Sequence, residues 1–380
     1  MFYHACVIWL SLAASSPAWA WNTEGFKFPQ GPYPTPFKIV LNDDFITMTL
    51  QKVKDYRPTV GLTSSWNIEG PPTHNITELA QYWSDEYNWA SIQQKINDDF
   101  RHLATVIEGD GGNYTADVPL HFIHQRAAND NAIPLLLLHG WPSTSLEWSK
   151  VIEPLTTDTN SPFHVVAPDL PGFGFSPALT KPGLSPATMG RILNKLMLQL
   201  GYTRYGLVTT DLGWFAGMWM MSEVEENIIG HFTDFVLVTP SNSDMERIEN
   251  GTATEEEVAN AEAGSIWSSK HAAYSTTHAQ KPLALAHAIA DSPVGLLAWY
   301  WDVNYATSDG YLYSKEELVT DAMMLWVPGP YANMRFYLEF FTPEAQDFPS
   351  SNVSTGVTEW GWGHGPFPEI GALPFALRAI

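Results

Sequence analysis

The sequence predicts an α/β fold: a mostly parallel, doubly wound sheet with an N-terminal extension and a late helical insertion. Three observations predict it. Short runs at 133–138, 163–167 and 205–210 have strand length, and the first is apolar throughout, as suits strands buried on both faces. Between the last two runs, Met189, Ile192, Leu193, Leu196 and Leu200 form one helical stripe. After Pro240 the pattern becomes helical and polar. Strands that alternate with helices pair in parallel, because each helix carries the chain back across a sheet face.

Taken in order, residues 21–36 are aromatic and Pro-rich without a period, which reads as an arm or loop. Pro36-Phe37-Lys38-Ile39 opens a segment of short strand-like and helical pieces. From Thr77 to Trp89, Leu79, Tyr82, Trp83 and Tyr87 share a helical face. Leu120 to Gln125 alternates like a strand. The run Ile133–Leu138 ends in His139-Gly140-Trp141-Pro142, with a helix expected from Ser143. Phe163–Ala167 runs into the Gly/Pro-rich loop from Pro168 to Ser176. Ser185-Pro186 is an N-cap followed by Pro at the first helical position, and Gly201 ends that helix. Tyr205–Thr210 is the next strand, and Phe232–Val238, closed by Pro240, another. Thr254-Glu255-Glu256-Glu257 is a capping box, and Ser292-Pro293 starts a helix to about Tyr305. Strand character returns at Val353–Thr358, before a Gly-rich loop to Phe367-Pro368-Glu369. The expected division is 1–20, 21–118, 119–240, 241–325 as a helical cap over the sheet's C-terminal edge, and 326–380.

The 380 residues carry a net charge of −22, which argues against nucleic acids and anionic membranes as partners. With 16 Trp, 15 Tyr and 19 Phe, the chain can line an aromatic pocket. Residues 1–20 lack Asp, Glu, Lys and Arg, are mostly apolar from Val7 to Ala14, and end in Ala18-Trp19-Ala20. They read as a secretory signal peptide cut before Trp21, with an uncleaved membrane anchor as the alternative. The single Cys, Cys6, falls within it, so the mature chain is expected to hold no disulfide. Four N-glycosylation sequons follow, at Asn75, Asn113, Asn250 and Asn352, and favour a secreted glycoprotein.

The chemistry is expected at Leu207 to Gly217. An apolar strand stops at Asp211, Gly213 follows, and Trp214, Met218 and Met221 continue with helical spacing. Strand, sharp turn and helix with a reactive residue at the apex is the nucleophile elbow of α/β-hydrolases, here with Asp in place of Ser. Thr209 stands where Gly is usual, two places before. A carboxylate suits displacement at saturated carbon and leaves a covalent ester. The plain alternative is that Asp211 only N-caps the helix. A hydrolase also needs two N–H donors for developing negative charge: here Leu212, after the nucleophile, and Trp141, in the His139-Gly140-Trp141-Pro142 loop. His139 is expected to order that loop.

That loop, the Pro168–Ser176 loop and the Asp elbow, in this order, resemble the microsomal-type epoxide hydrolases, an α/β-hydrolase fold with its own N-terminal domain. Further resemblance lies in Pro36-Phe37-Lys38-Ile39, Tyr82-Trp83 through Glu86-Tyr87 to Trp89, Lys281-Pro282 and Asp291-Ser292-Pro293-Val294-Gly295. It runs from about Pro36 to near the C-terminus. It implies hydrolysis of a small apolar epoxide to a vicinal diol through an Asp211 ester, without cofactor or metal; a homodimer stays open. It gives Tyr274 and Tyr337 the role of proton donors to the opening epoxide oxygen, against the plain alternative of buried tyrosines with bonded hydroxyls. The acid that orients the base His maps onto Glu369. The family's His follows in a Gly-Gly-His segment that the printed sequence does not contain, and His364 reads as a loop residue. Either the sequence is shortened before that segment or the chain is a non-hydrolysing relative; if the His is absent, the ester is expected to form and stall. The other readings are an inactive binding protein of this fold and a haloalkane dehalogenase. The last ranks lower, because Leu212 offers no side-chain N–H to a halide.

Overall fold

The computed structural model describes residues 25–358, apart from 63–64, 113, 238–239 and 309. The expectations for residues 1–20, Asn113, His364 and Glu369 lie outside the described residues.

The N-terminal part holds strand β1 (Thr35–Pro36) and helices α1 (Asp43–Lys54), α2 (Trp66–Glu69), α3 (Thr73–Asp85) and α4 (Trp89–Asp99). The helix expected over 77–89 is thus two. Asn88 breaks it, because its side chain caps α4 by accepting from Ser91 N at 3.1 Å. Strands β2 (His102–Ile107) and β3 (Val118–Gln125) follow, then β4 (Ile133–Leu138). A 3₁₀ turn at Ser145–Trp148 leads into α5 (Ser149–Thr157), so the helix expected from Ser143 starts slightly later. Then come β5 (Phe163–Pro168), α6 (Pro186–Gln199), β6 (Tyr205–Thr209), α7 (Asp211–Glu223) and β7 (Ile228–Thr233).

β7 lies earlier than the expected 232–238. Its register is set by parallel pairing with β6, whose last rung is Thr209 opposite Thr233. Past Thr209 the neighbour has turned into α7, so nothing remains for later residues to pair with. A helical array follows: α8 (Asn242–Glu249), α9 (Glu255–Lys270), α10 (Ala273–Gln280), α11 (Pro282–Ile289), α12 (Pro293–Thr307) and α13 (Lys315–Trp326). The short helices α14 (Pro330–Met334) and α15 (Phe336–Phe340) precede β8 (Thr355–Val357).

The eight strands form one sheet in the order β1-β2-β3-β5-β4-β6-β7-β8. The first three pairings are antiparallel and the other four parallel. β2 was not expected as a strand. His102 and Thr105 interrupt its apolar pattern, yet all six of its residues are buried. One sheet face packs Ile123, Leu137, Val165 and Ala167 against Ile152 of α5. The other face belongs to the main core, which takes in Leu193 and Leu196 of α6, Phe215 of α7 and Leu297 and Tyr300 of α12.

This topology positions the site. From β4 the chain steps to β5 on one side and returns to β6 on the other. The loops after β4 and β6 therefore diverge at neighbouring strand ends, the crevice where open α/β sheets bind ligands. Leu138 and Thr209 are the facing last rungs, and Thr210 N bonds Leu138 O at 3.1 Å.

Candidate active site

Asp211 sits at the turn between β6 and α7 with φ of +42°, the only positive φ among the described non-glycine residues. This left-handed conformation costs roughly 1–2 kcal/mol in an L-residue. Thr210 occupies the N-cap position, so Asp211 is no helix cap. Three glycines make the turn possible. A Cβ on Gly213 would stand 2.5 Å from Leu138 O. A Cβ on Gly140 would stand 2.1 Å from Asp211 Oδ1 and 2.5 Å from Leu212 N. A Cβ on Gly217 would meet Thr209 Cγ2 at 2.7 Å. Gly217 thus gives Thr209 the room that a Gly at 209 would not need.

The carboxylate occupies the expected amide pair. Trp141 N donates to Asp211 Oδ1 at 2.7 Å, and Leu212 N donates to the same carboxylate. Withdrawal from water pushes the Asp211 pKa up to about 6; the two amides oppose this, and the negative charge of Asp234, just after β7, adds to it.

His139 orders the loop, as expected. Its buried ring accepts from Leu170 N at Nε2, 3.0 Å, and so donates from Nδ1 to Gly140 O, 3.0 Å. Asp169, fully buried, braces the same loop by accepting from Ser145 N at 2.7 Å and Phe175 N at 2.9 Å. His121 Nδ1 reaches Asp169 Oδ2 at 2.7 Å, His121 Nε2 faces His102 Nδ1 at 2.9 Å, and His102 Nε2 faces Ile96 O at 3.0 Å. Both ends of this chain are acceptors, so each outer nitrogen must donate. The central nitrogen pair needs a further proton. The two rings therefore hold three protons and share one positive charge beside Asp169. Burial alone would raise Asp169, but His121 pulls its pKa down to about 2.

Both tyrosines lie at the carboxylate. Burial raises the proton affinity of both; Asp211 adds to it at Tyr274, and Tyr274 followed by Asp211 adds to it at Tyr337. Tyr274, on α10, stacks on the Trp141 indole at 5.0 Å and 13°. Tyr337, on α15, meets Tyr274 edge-on at 6.0 Å and Trp141 at 6.4 Å. The Tyr337 hydroxyl is buried and pairs with the side chain of Tyr274. The indole Nε1 of Trp141 donates to Asn333 Oδ1 at 3.0 Å, and the His278 ring lies edge-on at 4.8 Å. Asp211, Leu212, Trp141, Tyr274 and Tyr337 are thus brought together, while Glu369 lies outside the described residues.

Sequence reasoning missed Asn333, His278 and Asp169. Asp169 carried a signal, being an acidic residue in an otherwise apolar, Gly-rich loop after a strand; the other two carried none. Two surface depressions, of about 690 and 220 Å³, are lined by other residues, among them His74 and Gln81 in one and Tyr331 and Arg335 in the other. Among the described residues, no group of three or more His, Cys, Asp or Glu side chains is placed to hold a metal ion.

Residues 34–148 match the family model described as epoxide hydrolase N terminus, and residues 133–315 that of the alpha/beta hydrolase fold. Juvenile hormone epoxide hydrolase 2 of Ctenocephalides felis is 28% identical over 348 residues, which cover 85% of this chain and 73% of that protein. Epoxide hydrolase 1 of Sus scrofa is 28% identical over 337 residues, 80% of this chain and 72% of that protein. The crystal structure of juvenile hormone epoxide hydrolase from the silkworm Bombyx mori superposes with a TM-score of 0.75 at 26% identity, covering 88% of this chain and 85% of that one. Two family models on adjoining stretches and relatives that span both make the assignment: the chain belongs to the epoxide hydrolase family, with its N-terminal domain joined to an α/β-hydrolase fold.

Proposed function

We propose that the protein opens epoxides through a covalent ester on Asp211 and hydrolyses that ester to a vicinal diol. The observation that carries this reading is the Asp211 carboxylate at a positive-φ turn, 2.7 Å from the Trp141 amide. One carboxylate oxygen is held by amide, which leaves the other for attack. It forms a bond to an epoxide carbon as that carbon's bond to oxygen breaks, and the electron pair goes to the oxygen. Tyr337 or Tyr274 gives that oxygen its proton and becomes a phenolate. Water then adds to the ester carbonyl, the amides of Trp141 and Leu212 hold the oxyanion, and the acyl–oxygen bond breaks, so the diol leaves with the oxygen that attacked while the water oxygen stays on Asp211. This second step needs a base and an acid that orients it; Glu369 is our candidate for the acid. Among the described residues no imidazole hydrogen-bonds Asp211.

Intact mass spectrometry with styrene oxide tests both halves. A gain of one epoxide mass, lost in Asp211→Asn, together with diol marks full turnover; the same gain without diol marks a stalled ester. An unmodified chain and no diol would refute the reading. Chloride release from a 1-chloroalkane would favour dehalogenation instead.

We also propose entry into the secretory pathway. Asn250 and Asn352 are exposed, and Asn75 is half-buried at the start of α3. No helix among the described residues is long and apolar enough to cross a membrane. A mass loss on treatment with an N-glycosidase checks the sequons, and N-terminal sequencing of secreted protein checks cleavage before Trp21.

A further inference from the structure

The reaction leaves one buried group beside the tyrosines without a task. His278 follows Tyr274 by four residues on α10, so the two share a helix face. Its ring, with no solvent exposure, is edge-on to Trp141 at 4.8 Å and to Tyr337 at 5.0 Å, and 5.8 Å from Tyr274. Trp299 Nε1 donates to His278 Nε2 at 3.0 Å. An indole N–H only donates, so Nε2 carries the lone pair and the ring proton resides on Nδ1. Burial agrees with a neutral ring, holding the pKa down at about 3. Nδ1 has no partner.

A second buried polar atom beside the same indole also lacks a partner, Asn333 Nδ2. Asn333 uses its oxygen for Trp141 Nε1, so its amide nitrogen has two free hydrogens. A bare buried donor costs about 1–3 kcal/mol, and folded proteins keep few of them. Two beside one side chain are donors open to a ligand. The two tyrosines suffice for the single oxygen of an epoxide. The histidine and asparagine donors exceed that need.

We propose that His278 Nδ1–H, with Asn333 Nδ2, binds a second oxygen of the substrate, so that the protein selects epoxides bearing a carbonyl, ether or hydroxyl oxygen over plain hydrocarbon epoxides. The inference rests on the Asp211 reading and adds a substrate class to it.

The test compares phenyl glycidyl ether with styrene oxide, following Asp211 alkylation by intact mass. The wild type should favour the ether. His278→Phe removes the donor and should cut the ether-to-styrene rate ratio by about tenfold, the upper worth of one neutral hydrogen bond. His278→Gln keeps an N–H donor and should recover part of it. A ratio unchanged in His278→Phe overturns the inference. Where diol forms without an adduct, the rate of diol formation replaces the mass gain; if wild type gives neither adduct nor diol with either epoxide, the Asp211 reading has failed, and binding then decides this one. The ether-bearing diol 3-phenoxypropane-1,2-diol should bind wild type more tightly than 1-phenylethane-1,2-diol, and equal affinities overturn the inference. Should the Phe variant not fold, nitrogen-15 spectra of wild-type histidines replace it. The His278 Nδ1 signal should move with the ether diol alone; equal shifts or none overturn the inference.

Discussion

Replacing the proposed nucleophile should make the protein more stable. The Asp211 pKa lies near 6, against 3.8 for an unburied Asp. A folded pKa above the unfolded one means that the native state binds the proton more tightly. Its stability contribution is fully present below pH 3.8 and is lost as pH rises through 6. Two pKa units and a fraction amount to about 3 kcal/mol of destabilisation above pH 7, and about half of that at pH 5. Asp211 is only half-buried, so cavity water screens part of the effect, and a gain of about 1.5 kcal/mol at pH 8 is expected from Asp211→Asn. Asn also tolerates φ of +42°. At an unfolding entropy near 0.8 kcal/mol/K for this length, the melting temperature should rise by about 2 °C at pH 8 and by about 1 °C at pH 5. Thermal melts of both proteins from pH 5 to 8 give the answer. Equal or lower melting of the Asn variant at pH 8 would mean that the carboxylate is well solvated, and the case for a strained, desolvated nucleophile would fall with it.

Alkylation of Asp211 by styrene oxide should follow the carboxylate form, flat above pH 7 and about tenfold slower at pH 5, measured as the rate of mass gain; a flat profile down to pH 5 contradicts the raised pKa. Gly140→Ala puts a methyl 2.1 Å from Asp211 Oδ1, so alkylation should be lost while circular dichroism stays native-like. Tyr337→Phe should slow alkylation about a hundredfold by removing a proton donor, with little change in melting; an unchanged rate refutes the assignment. Asp169→Asn leaves a buried cation without its counter-charge and should lower stability by about 3–5 kcal/mol, read by urea denaturation.

What could be read from the sequence was what local physics dictates. The helix starts at Ser185, Thr254 and Ser292 appear where expected, each side chain accepting from a first-turn amide, because a cap depends on residues three apart. The elbow was legible because a tight turn demands a small residue at 213. β2 was not legible, since its His102 and Thr105 are tolerated only through partners elsewhere, His121 and Gln199. The tyrosine pair came from resemblance alone, and Asn333 from neither source, being 192 residues from the indole it holds. That long-range bond has a consequence for the chemistry. Trp141 presents its amide to Asp211 and its ring to Tyr274, His278, Tyr337 and Asn333. The amide that holds the carboxylate and the ring that packs on the two tyrosines are thus two ends of one residue. The proposed catalytic geometry therefore leans on Asn333, which bonds the Trp141 indole and not Asp211, and a search confined to the hydrogen-bond partners of Asp211 would miss it.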